Sequence, residues 1–148
     1  MPKLIFINLP VGDLAHATAF YEAVGATKNP QFSDNTASCM VFSDTIHVML
    51  LTHDKFRQFT PKKISDAKTT NQVLICMSAD NREAVDDTIG RAARAGGRAD
   101  PSPKQDFGFM YGRSFEDPDG HMWEVMWMDV EAHNKAMASG QANACSPA

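Results

Sequence analysis

Cysteine is scarce: three in 148 residues, none spaced as C-x-x-C, which argues against a disulfide-stapled scaffold and leaves no zinc or dithiol signature. Cys39 and Cys76 stand singly inside apolar runs, where a thiol serves as a small hydrophobe, and Cys145 falls in a small-residue tail. A reducing, cytoplasmic setting is the expectation. No run of about eighteen apolar residues occurs, the length a bilayer-spanning helix needs, so no membrane partner is expected. The opening Met1-Pro2-Lys3, followed directly by Leu4-Ile5-Phe6-Ile7, leaves no room for the apolar stretch of an export signal. Positive charge is also in short supply: 14 Lys and Arg against 18 Asp and Glu give a formal net charge of −4. Without a basic stripe interleaved with aromatics, a nucleic-acid partner lacks its electrostatic footprint. No Ser or Cys stands at nucleophile spacing from the histidines, so no hydrolase triad is read.

What is present suits one globular α+β domain: 43% apolar and 22% charged residues in a length typical of a single core. The chain repeats itself. Leu4 to Gly25 and Val73 to Gly96 each run from a β-rich segment through an Asp to an apolar-striped helix closed by glycine. Asp13 and Asp80 are the expected helix N-caps, their carboxylates accepting first-turn amides, and Glu83 takes the capping-box position after Asp80. Leu14, Ala17, Tyr21 and Val24 form one stripe; Val85, Ile89 and Ala92 form the other. β-patterned runs follow each helix: Ser38 to Phe42 and Ile46 to Leu51, then Phe107 to Phe115 and His121 to Met128, with Pro30, Asn35, Pro101 and Pro103 marking turns. The modules span about 3–52 and 72–129, a single domain over 1–129. Thr52 to Asn71 reads as a short amphipathic helix and linker, a solvated connector or a cover over a ligand. The tail, 130–148, lacks a strong pattern from Asn134 on and is expected to be flexible.

Two phrases carry a family likeness: Asn8-Leu9-Pro10-Val11-Gly12-Asp13-Leu14 leading to Phe20-Tyr21 and Gly25, and Phe115-Glu116-Asp117-Pro118-Asp119-Gly120-His121-Met122-Trp123-Glu124. Together they resemble the vicinal oxygen chelate superfamily of glyoxalase I, bleomycin-resistance proteins and extradiol dioxygenases. The resemblance implies two βαβββ modules whose mixed sheet curves around a concave pocket, usually in a homodimer. Where such proteins hold a metal, it sits on inward positions of the first and last strands of each module. Counting back seven residues from Asp13 and Asp80, as that pattern suggests, gives Phe6 and Val73, neither able to bind an ion. Matching the closing strands leaves His47 and Glu124 as metal candidates, two where a stable site generally needs three or more protein ligands. No metal site is therefore expected.

Asp117-Pro118-Asp119-Gly120 reads as a four-residue turn pairing Glu116 with His121. That register sets Arg113 opposite Glu124 and Tyr111 opposite Met126, so Tyr111, Arg113, Met122, Glu124 and Met126 share one face. If that face lines the implied pocket, Arg113 can grip a carboxylate or enolate, or can simply neutralise Glu124. Glu124 is the candidate catalytic acid or base, although a neighbouring guanidinium would favour its ionised form. Asn8, on the face of Phe6, can hydrogen-bond a ligand or shape the following loop. Trp123 and Trp127 fall on the opposite face and are assigned to helix packing. Met40, Met49, Met77 and Met110 are read as core fillers. Two functions stay open: a protein that binds a small polar or aromatic molecule without chemistry, or a metal-dependent lyase, isomerase or dioxygenase of the same superfamily.

Overall fold

A computed structural model describes residues 1–140. The first module comprises β1 (Ile5–Val11), α1 (Leu14–Ala23), β2 (Thr27–Asn29), β3 (Ala37–Val41) and β4 (Ile46–Thr52), with α2 (His53–Arg57) after it. Its four strands lie in the order β1-β4-β3-β2. The second comprises β5 (Ile75–Ser78), α3 (Arg82–Arg94), β6 (Arg98–Ala99), β7 (Gln105–Asp106), β8 (Met110–Glu116) and β9 (Met122–Met128). The order β5-β9-β8-β6 repeats that of the first sheet, with β7 also paired to β8. In both modules the first and last strands run parallel and the inner hairpin antiparallel. The fold is thus the α+β pair of βαβββ units that the repeat implies, built as two curved, open sheets.

Asp13 caps α1 as expected, accepting from the His16 amide at 3.0 Å. The cap of α3 is one residue later than expected. Asn81, not Asp80, accepts from the Ala84 amide at 2.7 Å, so Glu83 lies in the first turn without the spacing a capping box requires. Two adjacent residues with capping side chains cannot be ranked by local pattern alone. The left-handed backbone of Gly25 (φ 113°) and Gly96 (φ 101°) follows each helix, a conformation that a Cβ would penalise.

One hydrophobic core serves both modules. Phe20 and Tyr21 of α1 meet Phe115 and Trp123 of the second sheet, with the Phe20–Phe115 and Tyr21–Trp123 centroids each 5.9 Å apart. Polar bonds tie the same seam. The Tyr21 hydroxyl donates to Asp117 Oδ2 at 2.6 Å and accepts from Trp123 Nε1 at 3.0 Å. Gly12 N–H donates to Asp119 Oδ1 at 2.8 Å, and the His121 ring Nε2 lies 2.7 Å from the Pro10 carbonyl oxygen. Burial raises the pKa of both the Asp117 carboxyl and the Tyr21 hydroxyl, the aspartate charge adding to the tyrosine's shift.

That clasp corrects the hairpin. Asp117 Oδ1 takes the amides of Asp119 and His121 at 2.9 Å each, which draws His121 into the turn. The connection is therefore five residues, and Glu116 pairs with Met122, Ser114 with Glu124, and Arg113 with Val125. A one-residue slip exchanges the faces of one strand relative to the other.

The tail also differs from expectation. α4 spans Val130–Ala138, capped by Asp129 accepting from the Ala132 amide, and Phe109 packs edge-on against His133. A good cap and helix-favouring Ala, Glu, Lys and Met residues suffice where no clear periodicity exists. The rest of the expected flexible tail, 141–148, which includes Cys145, lies outside the described residues.

Candidate functional site

Alternation divides the second sheet into two faces. Phe115, Trp123 and Val125 point to the helices and the core, with Trp127 packed against it, so both tryptophans serve packing as expected. The opposite face carries Gly112, Ser114, Glu124 and Met126, with Met110 at one end. β5 adds Cys76, registered directly beside Glu124. A cavity of about 280 Å³ opens here, lined by Cys76, Met110, Glu124 and Met126 and walled by Ser102 of the β6–β7 loop and Gln105 of β7.

Of the five residues expected on one face, Met122, Glu124 and Met126 keep it, and Tyr111 and Arg113 fall on the other. Tyr111 turns to α3, donating to Asp86 Oδ1 at 2.6 Å, with the Arg82 guanidinium 4.3 Å above its ring. Arg113 borders the cavity, yet its guanidinium is committed elsewhere. Nε and Nη2 grip Asp100 at 3.0 and 2.6 Å, and Nη1 donates to Asp86 at 2.8 Å. These bonds push the Arg113 pKa up, chiefly through Asp100, and hold Asp100 and Asp86 below the usual carboxylate range. The bidentate capacity that suited Arg113 to a ligand carboxylate is spent inside the protein. Among the described residues no cation lies within salt-bridge distance of Glu124, so the expected Arg113–Glu124 pair does not form.

Glu124 and Met126 remain together, joined by Cys76, Met110, Ser114 and Gln105, which sequence reasoning did not select. The parallel β5–β9 register was the missing signal, because it alone sets Cys76 beside Glu124. Cys76 is exposed, and partial desolvation by the cavity walls, then the Glu124 charge, raises its thiol, which favours a protonated hydrogen-bonding group over a thiolate nucleophile. Met122, on the same face, borders a separate cavity under the linker. Asn8 lies exposed on the open face of the first module, registered with Met49.

On that same first-module face Phe6 stacks on His47, centroids 4.6 Å apart and planes at 20°. His47 Nδ1 is buried without a hydrogen-bond partner among the described residues. Counting back seven from the true cap, Asn81, reaches Leu74 and not Val73; both are apolar. The registers also show that Cys76 beside Glu124 corresponds to Asn8 beside Met49. Glu124 therefore matches Met49, and His47 is not its counterpart. No group of three or more His, Cys, Asp or Glu side chains gathers at one point among the described residues. His47 and Glu124 stand on different sheets, and among the described residues no donor set that fits a divalent ion gathers.

The chain matches the model of the Glyoxalase/Bleomycin resistance protein/Dioxygenase superfamily over residues 3–125. No curated protein sequence matches it. Solved structures share the fold. Hypothetical protein SA1046 from S. aureus is 24% identical with a TM-score of 0.71, covering 86% of this chain and 94% of that one. A glyoxalase/bleomycin resistance protein/dioxygenase family enzyme from Burkholderia phytofirmans PsJN is 18% identical, TM-score 0.69, covering 86% and 99%. The fosfomycin resistance protein FosX from Mesorhizobium loti is 18% identical, TM-score 0.64, covering 89% and 97%. With paired βαβββ modules on one core and a family match across both, the chain belongs to the Glyoxalase/Bleomycin resistance protein/Dioxygenase superfamily.

Proposed function

We propose that this protein binds a small polar or aromatic molecule on the open face of its second sheet, as a binding protein and not as a metal enzyme. The observation that carries this reading is the cavity of about 280 Å³ in which Glu124, a carboxylate without an internal cation, stands among Met110, Met126 and Cys76. Pliant thioether walls accept flat apolar groups, and an uncommitted carboxylate selects a ligand that presents a hydrogen-bond donor or a cation. Ser102, Ser114 and Gln105 can fix orientation around that anchor. The likeness to a fosfomycin resistance protein and to bleomycin-resistance-type structures supports small-molecule capture without identifying the ligand. A lyase, isomerase or dioxygenase using an ion as Lewis acid would need a donor set that does not gather among the described residues.

The test is a thermal-shift screen of amine-bearing and phenolic compounds, followed by titration of the best one. Glu124→Gln is expected to keep the melting temperature and weaken that ligand by about tenfold or more, the scale of a lost charge-assisted hydrogen bond. Chelator treatment should leave the wild-type shift intact. Full affinity in Glu124→Gln, or a shift that disappears with the chelator, would sink the proposal.

A further inference from the structure

Positive charge gathers in one place. Between Thr52 and Asn71 the chain carries Lys55, Arg57, Lys62, Lys63 and Lys68 against Asp54 and Asp66, within a protein whose net charge is −4. Arg57 is matched by Asp54 at 2.8 Å. Among the described residues Lys62, Lys63 and Lys68 have no carboxylate within salt-bridge distance. The linker is anchored on the second module. Its backbone passes so close to Gly120 that a Cβ there would lie 2.8 Å from the Lys68 Cα, and Asn71 Nδ2 sits 3.7 Å from Met122 Sδ.

Two cavities lie under this segment, at the seam between the end of β1 and the start of β9. One, of about 330 Å³, is lined by apolar groups including Leu9, Phe56, Ile64, Ile75 and Met122. The other, of about 820 Å³, is lined by His53, Arg57, Lys62, Lys63, Lys68 and His121. Pro10, Lys62, Lys63 and His121 border both, so the apolar and basic parts adjoin. Two carboxylates, Asp66 and Asp119, also line the basic end, each accepting one backbone amide, Asp119 Oδ1 from Gly12 N–H and Asp66 Oδ1 from Lys68 N–H. Each keeps its negative charge, which places the anionic head at Lys62 and Lys63 and not beside the carboxylates. None of these lining residues borders the Glu124 cavity.

The geometry points to a second small-molecule site under the linker, which takes an organic phosphate with its apolar body beside Phe56 and Ile64 and its head at Lys62 and Lys63. Unpaired ammonium groups on one rim attract a dianion more strongly than a monoanion, and the attraction weakens with salt. The adjoining apolar wall gives a phosphate ester an advantage over the bare ion. This site has the opposite charge preference to the Glu124 cavity, so the two proposals stand or fall separately.

Titration calorimetry of the full chain at low salt, with phenyl phosphate, inorganic phosphate and phenol as probes, tests it. Phenyl phosphate is expected to bind saturably at one per chain, inorganic phosphate about tenfold or more weaker, and phenol, titrated against Glu124→Gln so that the Glu124 cavity does not contribute, likewise about tenfold or more weaker. Lys62→Glu combined with Lys63→Glu, both exposed, should leave the unliganded melting temperature unchanged and weaken phenyl phosphate by about tenfold or more. Ile64→Ser should weaken phenyl phosphate without altering inorganic phosphate, and Glu124→Gln should change neither. The inference is overturned by any of four results: no saturable phenyl phosphate binding at millimolar concentration, equal binding by a control probe, wild-type affinity in the charge-reversed variant, or loss of binding in Glu124→Gln.

Discussion

Arg113 holds two carboxylates at once, Asp100 through a two-point grip and Asp86 through its remaining terminal nitrogen. Its side chain is 14% exposed, against 28% for Asp100 and 54% for Asp86, so the Asp100 contact is the better shielded and the Asp86 contact the more screened. Arg113→Met strands both acids. A loss of about 1–3 kcal/mol is expected, reduced from the buried-pair range by this exposure. Because both aspartates are held below their unfolded pKa, their contribution is present above the ordinary carboxylate pKa and lost as pH falls through the depressed values. The stability gap between wild type and Arg113→Met, measured by urea unfolding, should therefore be wide at pH 7 and close under acid below about pH 4. A gap that stays constant with pH would deny the network its role. Among the described residues Glu124 has no hydrogen bond or ion pair to Arg113, so Glu124→Gln is expected to leave the loss caused by Arg113→Met unchanged.

The Asp-Pro-Asp-Gly hairpin joins the two modules as well as two strands. Asp117 is 3% exposed and receives the Tyr21 hydroxyl besides two amides of its own turn. Tyr21→Phe keeps the ring in the core and deletes one oxygen, leaving Asp117 Oδ2 and Trp123 Nε1 without that partner. Unfolding should cost about 1–3 kcal/mol less in the variant, with one cooperative transition still observed because the apolar seam persists. Asp117→Asn probes the same clasp through pH. A carboxyl whose folded pKa is raised favours folding most below its unfolded pKa and loses that contribution as pH rises through the raised value. The stability of Asp117→Asn relative to wild type should thus improve from pH 4 to pH 7. The opposite trend would mean that the ionised carboxylate is the form the fold prefers. This clasp explains why the strand register escaped the sequence: Pro and Gly mark a turn, but a buried acid 96 residues from its tyrosine partner decides that His121 belongs to the turn.

At the scale of the molecule, β1 and β5 are edge strands, and large apolar side chains crowd their beginnings: Leu4, Ile5, Phe6, Val73 and Leu74 are 50–64% exposed. Such edges are ordinarily paired, covered or charged. We propose that a second copy of the chain covers them in a homodimer. Light scattering at micromolar concentration should give twice the 16.2 kDa chain mass, with Phe6→Glu plus Leu74→Glu returning it to one. A monomeric wild type would remove this reading. The sequence by itself determined the repeat, both helix stripes, the glycine stops and the family, because each is written in local periodicity and in turn chemistry. It also placed Glu124 and Met126 on one face, since residues two apart in a strand cannot do otherwise. Tertiary structure alone decided that Cys76 stands beside Glu124, that Arg113 turns away to Asp100 and Asp86, and that the linker lies over a basic cleft. Those outcomes depend on pairings between distant segments, whose register is chosen by buried contacts that no local pattern encodes.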